Sequence, residues 1–136
     1  MAFPLHETSE KMKLKTRDQY QATVLEIHGK FLGASSGANF SAATAEILSA
    51  GKKRLVIDLS EATLLDSTAI GLLIKALTGF RRENGDIRLA GMSNRLRNLF
   101  LMTRLLGPVF EAHETVDDAL ESYRDRPEPT VVVDAD

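Results

Sequence analysis

Asp66, Ser67 and Thr68 stand together in LLDSTAIGLLIKAL, Leu64 to Leu77, between the apolar end of one segment and the amphipathic start of another. All three residue types carry side-chain oxygens that accept from the N–H groups left without partners in the first turn of a helix. Capping alone therefore accounts for an acid and two hydroxyls at this seam. The same place suits an anion, because the free N–H groups and the helix dipole both favour negative charge there. A phosphate on Ser67 would bring roughly −1.5 to −2 charges and three acceptor oxygens into that field. Residue chemistry leaves both readings open.

The remaining candidates are weaker. His6, His28 and His113 are far apart, with no His-x-x-x-His or carboxylate spacing for a metal or a catalytic pair. There is no Cys, which excludes disulfides, thiolate catalysis and cysteine metal sites. GKFLGASSGAN, Gly29 to Asn39, is glycine-rich but lacks the Gly-Lys-[Ser/Thr] ending of a phosphate loop, and reads as a flexible connection. Asp58, on an apolar run, needs a partner and is expected to hydrogen-bond the following loop. Leu101, Met102 and Leu105 fall off the inward stripe of their helix, as a small contact patch or as ordinary exposed apolar residues. Without a nucleophile–base set, a carboxylate pair or a metal cluster, the chain reads as a non-enzyme with no cofactor and no metal.

The elements that must hold the Asp66 seam follow from periodicity. KMKLKT alternates Lys with Met12, Leu14 and Thr16, the pattern of an edge strand with one wet face. After the turn-prone RDQYQ, ATVLEIHGKF from Ala22 completes a hairpin. A helix from Ala38, carrying Phe40, Thr44, Ile47 and Leu48, stops at Gly51. RLVIDLS reads as a buried central strand, and Ile70, Leu73, Ile74, Leu77 and Phe80 stripe the next helix up to Gly85. DIRLAGM is a strand; NRLRNLFLMTRLL turns Leu96, Leu99, Phe100 and Leu106 inward against Arg95, Arg97 and Arg104. GPVFEA is a last short strand, and ETVDDALESY a final helix with Val116, Ala119, Leu120 and Tyr123 on one stripe. Strands alternating with helices imply an α/β fold, a mostly parallel sheet of four to five strands with an N-terminal hairpin, covered by about four helices.

The whole chain bounds the function classes. Its 136 residues fit one domain, expected over 10–125, after a mobile segment 1–9 and before a disordered acidic tail 126–136. Net charge is −2, with neither sign dominant, so the dense basic face of a nucleic-acid binder is missing. No apolar stretch nears the roughly 18 residues of a membrane span, and the opening MAFPLHETSE has no signal-peptide pattern, which implies a cytoplasmic chain with no direct membrane insertion.

From Lys11 to Tyr123 the chain resembles the STAS domains of bacterial anti-sigma-factor antagonists. The likeness lies in the element order, VIDLS, LLDSTAIGLL, GDIRLAGMSNRLRNLFLMTRL and TVDDALESY. The family's motif, Asp-Ser-[Ser/Thr]-Gly-[Leu/Ile]-Gly, matches Asp66, Ser67, Thr68, Ile70 and Gly71, with Ala69 in place of the usual Gly. The family's Gly-x-[Leu/Phe/Ile]-Asp turn is replaced in GKFLGASSGAN, with Gly33 set where the Asp falls. The resemblance implies phosphorylation at Ser67, with Thr68 the weaker acceptor. It implies a partner surface of Asp66, Ser67, Thr68, Ala69, Gly33, Ser35 and Ser36. The expected partners are an anti-sigma factor with a histidine-kinase-like ATPase fold, which binds the unphosphorylated chain, and a PP2C-type phosphatase. The alternative is a non-enzymatic STAS scaffold or accessory subunit of a stress-signalling or lipid-transport assembly.

Overall fold

The computed structural model describes residues 12–19 and 21–124, so the expectations for segments 1–9 and 126–136 lie outside the described residues. Strand β1 (Lys13–Gln19) pairs antiparallel with β2 (Ala22–Phe31), from Lys13 opposite His28 to Gln19 opposite Ala22. RDQ thus belongs to the strand and not to the turn, since Arg17, Asp18 and Gln19 are already paired with Val24, Thr23 and Ala22. β3 (Arg54–Asp58) joins β2 in parallel, β5 (Asp86–Ala90) joins β3, and β6 (Glu111–His113) joins β5. The last strand begins later than GPVFEA implies: only its final Glu111 and Ala112 lie in β6, while Phe110 makes one isolated bridge to Leu106.

A strand that the periodicity does not separate lies just before the seam. β4 (Ala62–Leu65) pairs in parallel with the end of β2, Gly29 opposite Ala62 and Phe31 opposite Leu65. β2 therefore serves β3 with residues 23–26 and β4 with residues 29–31. Gly29, at φ 89, sits at the bulge where the partner changes, and its N–H donates to the Glu61 carbonyl at 2.9 Å.

Four helices among the described residues cover the sheet: α1 (Gly33–Ser49), α2 (Ser67–Arg82), α3 (Asn94–Met102) and α4 (Val116–Arg124). Period-two alternation sorts them. Leu25 and Ile27 of β2, with Leu55, Ile57, Ile87 and Leu89, point into one large core with Phe40 of α1, Leu73 and Phe80 of α2 and Phe100 of α3. Val24, Val56 and Ala90 point the other way, against Ala119, Leu120 and Tyr123 of α4. The expected single α/β domain is thus present, with a six-stranded sheet, parallel apart from the β1–β2 pair.

On the α4 side the core holds polar groups. Tyr123 donates its hydroxyl to the Leu55 carbonyl at 2.9 Å, and burial pushes the phenol well above its ordinary pKa. The buried Arg88 guanidinium lies 4.1 Å from the centre of the Tyr123 ring and bonds Ser122.

Candidate functional site

The carboxyl ends of the parallel strands and the starts of α1, α2 and α3 meet at one edge of the sheet, the place where open α/β folds present their binding groups. Asp66 is the N-cap of α2. Its Oδ1 accepts from the Ala69 N–H at 2.8 Å, and the same oxygen accepts from the Gly33 N–H at 3.0 Å. These two backbone donors, Ala69 first and Gly33 second, hold its carboxyl below the usual carboxylate range.

The second bond changes how GKFLGASSGAN is understood. Gly33–Asn39 is not a flexible connection but the first turns of α1, with Ser35 and Ser36 N–H groups donating to the Leu32 carbonyl. Counted from Gly29, the fourth position of the family turn is Leu32, one residue before the Gly33 to which the sequence comparison assigned it. Leu32 is the N-cap of α1 and has no side chain able to cap. Asp66 supplies the missing acceptor from another helix, so one carboxylate serves two helix N-termini.

Gly33 is required sterically. A Cβ there would lie 2.3 Å from Thr68 Cγ2, 2.5 Å from Thr68 Cβ and 2.9 Å from the Ala69 nitrogen. One turn later, a Cβ on Gly37 would lie 2.7 Å from Leu72 Cδ1. Glycines four apart on α1 thus receive Thr68 and Leu72, four apart on α2, and let the two helices touch at their entries. Farther along they leave an apolar groove of about 280 Å³, floored by Thr44, Leu48, Leu72, Ala76 and Phe80.

The candidate residues separate by accessibility. Ser67, Thr68 and Ser35 are exposed; Asp66 is half-buried; Ala69, Gly33 and Ser36 are buried. Ser67 is the first residue of α2, its hydroxyl in solvent beside an acid already committed to two amides. Nearby, Asp58 does bond the loop that follows it, accepting from the Ser60 N–H at 3.0 Å and from the Ser60 hydroxyl. Ser93 caps α3, accepting from the Leu96 N–H at 3.2 Å. His28 pairs with Glu26 and His113 with Glu111, far apart in the sheet. The pairing of Gly33 with Asp66 was not visible in the sequence. Its only signal was a glycine standing directly after an N-cap position that holds Leu.

Comparison with known proteins finds relatives in sequence and in fold. The aligned segment of the anti-sigma-B factor antagonists of Listeria monocytogenes serovar 1/2a and Listeria innocua serovar 6a is 39% identical over 51 residues, 38% of this chain. It spans 45% of the length of each relative. An anti-sigma factor antagonist from Mycobacterium paratuberculosis shares the fold at TM-score 0.76 and 22% identity, over 85% of this chain and 97% of that one. The phosphorylated form of the Bacillus cell fate determinant SpoIIAA does so at TM-score 0.62 and 17% identity, over 82% and 98% of the two chains. Residues 14–111, from the second residue of β1 to the first of β6 and including the whole Asp66 seam, match the family model described as Mlab, STAS domain. The chain belongs to the STAS-domain family.

Proposed function

We propose that this protein is a non-enzymatic anti-sigma-factor antagonist in the cytoplasm. It binds an anti-sigma factor of the histidine-kinase-like ATPase fold while Ser67 is free, and phosphorylation of Ser67 by that partner releases it. A PP2C-type phosphatase restores the binding form. The observation that carries this reading is the exposed Ser67 hydroxyl at the first position of α2, on a helix start held rigidly by Asp66 and Gly33. Ser67, Thr68 and Ser35 form the contact surface, and the buried Ala69, Gly33 and Ser36 set its shape. At the free helix start, added negative charge meets the dipole and unpaired N–H groups, offset in part by the neighbouring Asp66 carboxylate. At a desolvated interface the same charge costs several kcal/mol. Phosphorylation thereby acts on binding more than on folding.

The test is pull-down and thermal melting of wild type, Ser67→Ala and Ser67→Asp, with mass spectrometry of the protein from cells. Phosphate on Ser67, loss of the ATPase partner by Ser67→Asp and unchanged melting are expected. No phosphate under any condition, or a Ser67→Asp form that binds as wild type, refutes the switch.

The description of the matching family as Mlab, STAS domain, rather than as an antagonist, favours one second reading: a scaffold or accessory subunit of a stress-signalling or lipid-transport assembly. In that case pull-down recovers assembly subunits equally with Ser67→Ala and Ser67→Asp.

A further inference from the structure

From Ile87 to Phe110 the chain has no acidic residue. Within this stretch α3 turns Leu96 and Phe100 into the core and leaves Arg95, Arg97 and Asn98 outside, followed by Leu101, 51% exposed, and Met102, 82% exposed. Arg97 and Leu101 are one turn apart on the outer face. Arg104 follows at φ 60, in the left-handed turn that ends the helix. None of Arg95, Arg97 and Arg104 has an ion pair among the described residues, whereas Arg17, Arg81, Arg88 and Arg124 all do. Three unpaired cations around the two most exposed large apolar side chains among the described residues make a surface suited to an acidic segment with an apolar centre.

The chain carries such a segment. Residues 125–136, DRPEPTVVVDAD, hold Asp125, Glu128, Asp134 and Asp136 against one Arg, with Val131, Val132 and Val133 between the acids. α4, from which it leaves, and α3 pack on opposite faces of the sheet and are linked by a short chain of contacts. Ser122 of α4 accepts from Arg88, whose Nη1 is 3.6 Å from Glu111 of β6. Phe110, the residue before β6, donates its N–H to the Leu105 carbonyl at 2.7 Å, just past the end of α3. Among the described residues β6 pairs only with β5, so a chain leaving α4 reaches the opposite face, where α3 lies, by passing round this edge strand. Twelve residues reach up to about 40 Å when extended, more than the roughly 20–25 Å that two helix diameters span. Tethering gives the segment an effective concentration on the order of millimolar, which favours it over an untethered acidic partner.

We propose that residues 125–136 dock on the outer face of α3, with their acids against Arg95, Arg97 and Arg104 and their valines over Leu101 and Met102. The segment is thereby an internal cover for a basic, apolar surface that is distinct from Ser67, and a charge-dependent one.

Because the chain has no Cys, the full-length Thr130→Cys variant takes a nitroxide label at one defined place. The expected result is loss of most NMR signal intensity at Leu101 and Met102 in dilute, low-salt solution. The signal returns at 1 M NaCl, where the screening length is about 3 Å. It also returns when the tail acids are replaced by Asn and Gln, a change outside the folded elements. An Arg97→Glu, Arg104→Glu form with wild-type melting should behave in the same way. Signal loss confined to residues near Arg124, directed to the α1–α2 groove, or seen only between labelled and unlabelled copies overturns the proposal. So does salt-independent loss at α3.

Discussion

Replacing Gly33 by Ala is a one-carbon test of how α1 and α2 meet. The added Cβ would lie 2.3 Å and 2.5 Å from two carbons of Thr68 and 2.9 Å from the Ala69 nitrogen. Carbon atoms in contact prefer about 3.5–4.0 Å, so the approach is short by more than 1 Å. Rotation cannot relieve it, because the obstacles include a Cβ and a backbone nitrogen within a helix. The helix entries must separate, and a shift of that size also breaks the Gly33 N–H bond to Asp66, now 3.0 Å long. Overpacking of this kind costs typically 1–3 kcal/mol, and here about 3 is expected. That lowers the melting temperature by roughly 10 °C for a domain of this size. Gly71→Ala is the control, since a Cβ there meets nothing within 4 Å. In a helix it should stabilise by about 0.5–1 kcal/mol. Thermal and urea melts followed by circular dichroism measure both. The pair Gly33→Ala with Thr68→Gly should then show a favourable coupling energy in a double-mutant cycle. A Gly33→Ala protein as stable as wild type, or one indifferent to Thr68→Gly, refutes the close approach.

Three further perturbations read other parts of the fold. Asp66 has a lowered folded pKa, so its contribution is complete above the ordinary carboxylate pKa of about 3.9 and is lost as pH falls through the folded value. Asp66→Asn should therefore flatten the fall in melting temperature below about pH 4, and an unchanged acid limb would remove Asp66 as its cause. Tyr123 has a raised pKa, so its contribution is complete below about pH 10 and is lost as pH rises through the folded value. Absorbance titration should show one of the two tyrosines ionising only as the protein unfolds at high pH. Arg104, at φ 60, occupies a position that glycine fills without strain, and Arg104→Gly should raise stability by about 1 kcal/mol in urea melts.

Long periodic segments were legible because each buries one face. Ile70, Leu73, Leu77 and Phe80 declared α2, and Val56 and Ile57 declared a central strand with two covered faces. What escaped depends on contacts between segments distant in sequence. β4 has four residues, Ala62 and Leu65 inward, and takes its identity as a strand from the end of β2. The first turns of α1 carry two Gly and two Ser, poor helix formers alone, and are helical because Gly33 and Gly37 pack against α2 and Asp66 caps from outside. Ser67 was legible as a place at the seam. That Asp66 is shared, and that Ser36 and Ala69 are withdrawn from the surface, required the fold.

The change of partner along β2 bears on how such a protein can diverge. Residues 29–33 and 62–69 advance side by side, one to β4 and then α2, the other to α1, and they rejoin at a single carboxylate oxygen. Adding or deleting one residue in either run would carry Asp66 away from Gly33 and reverse the inward and outward faces of β4. An extra residue at the turns around Lys52 or Asn84 would leave both runs intact. At this edge of the sheet, residue identity can drift while spacing is held, so the lineage of the site is written in lengths more than in letters.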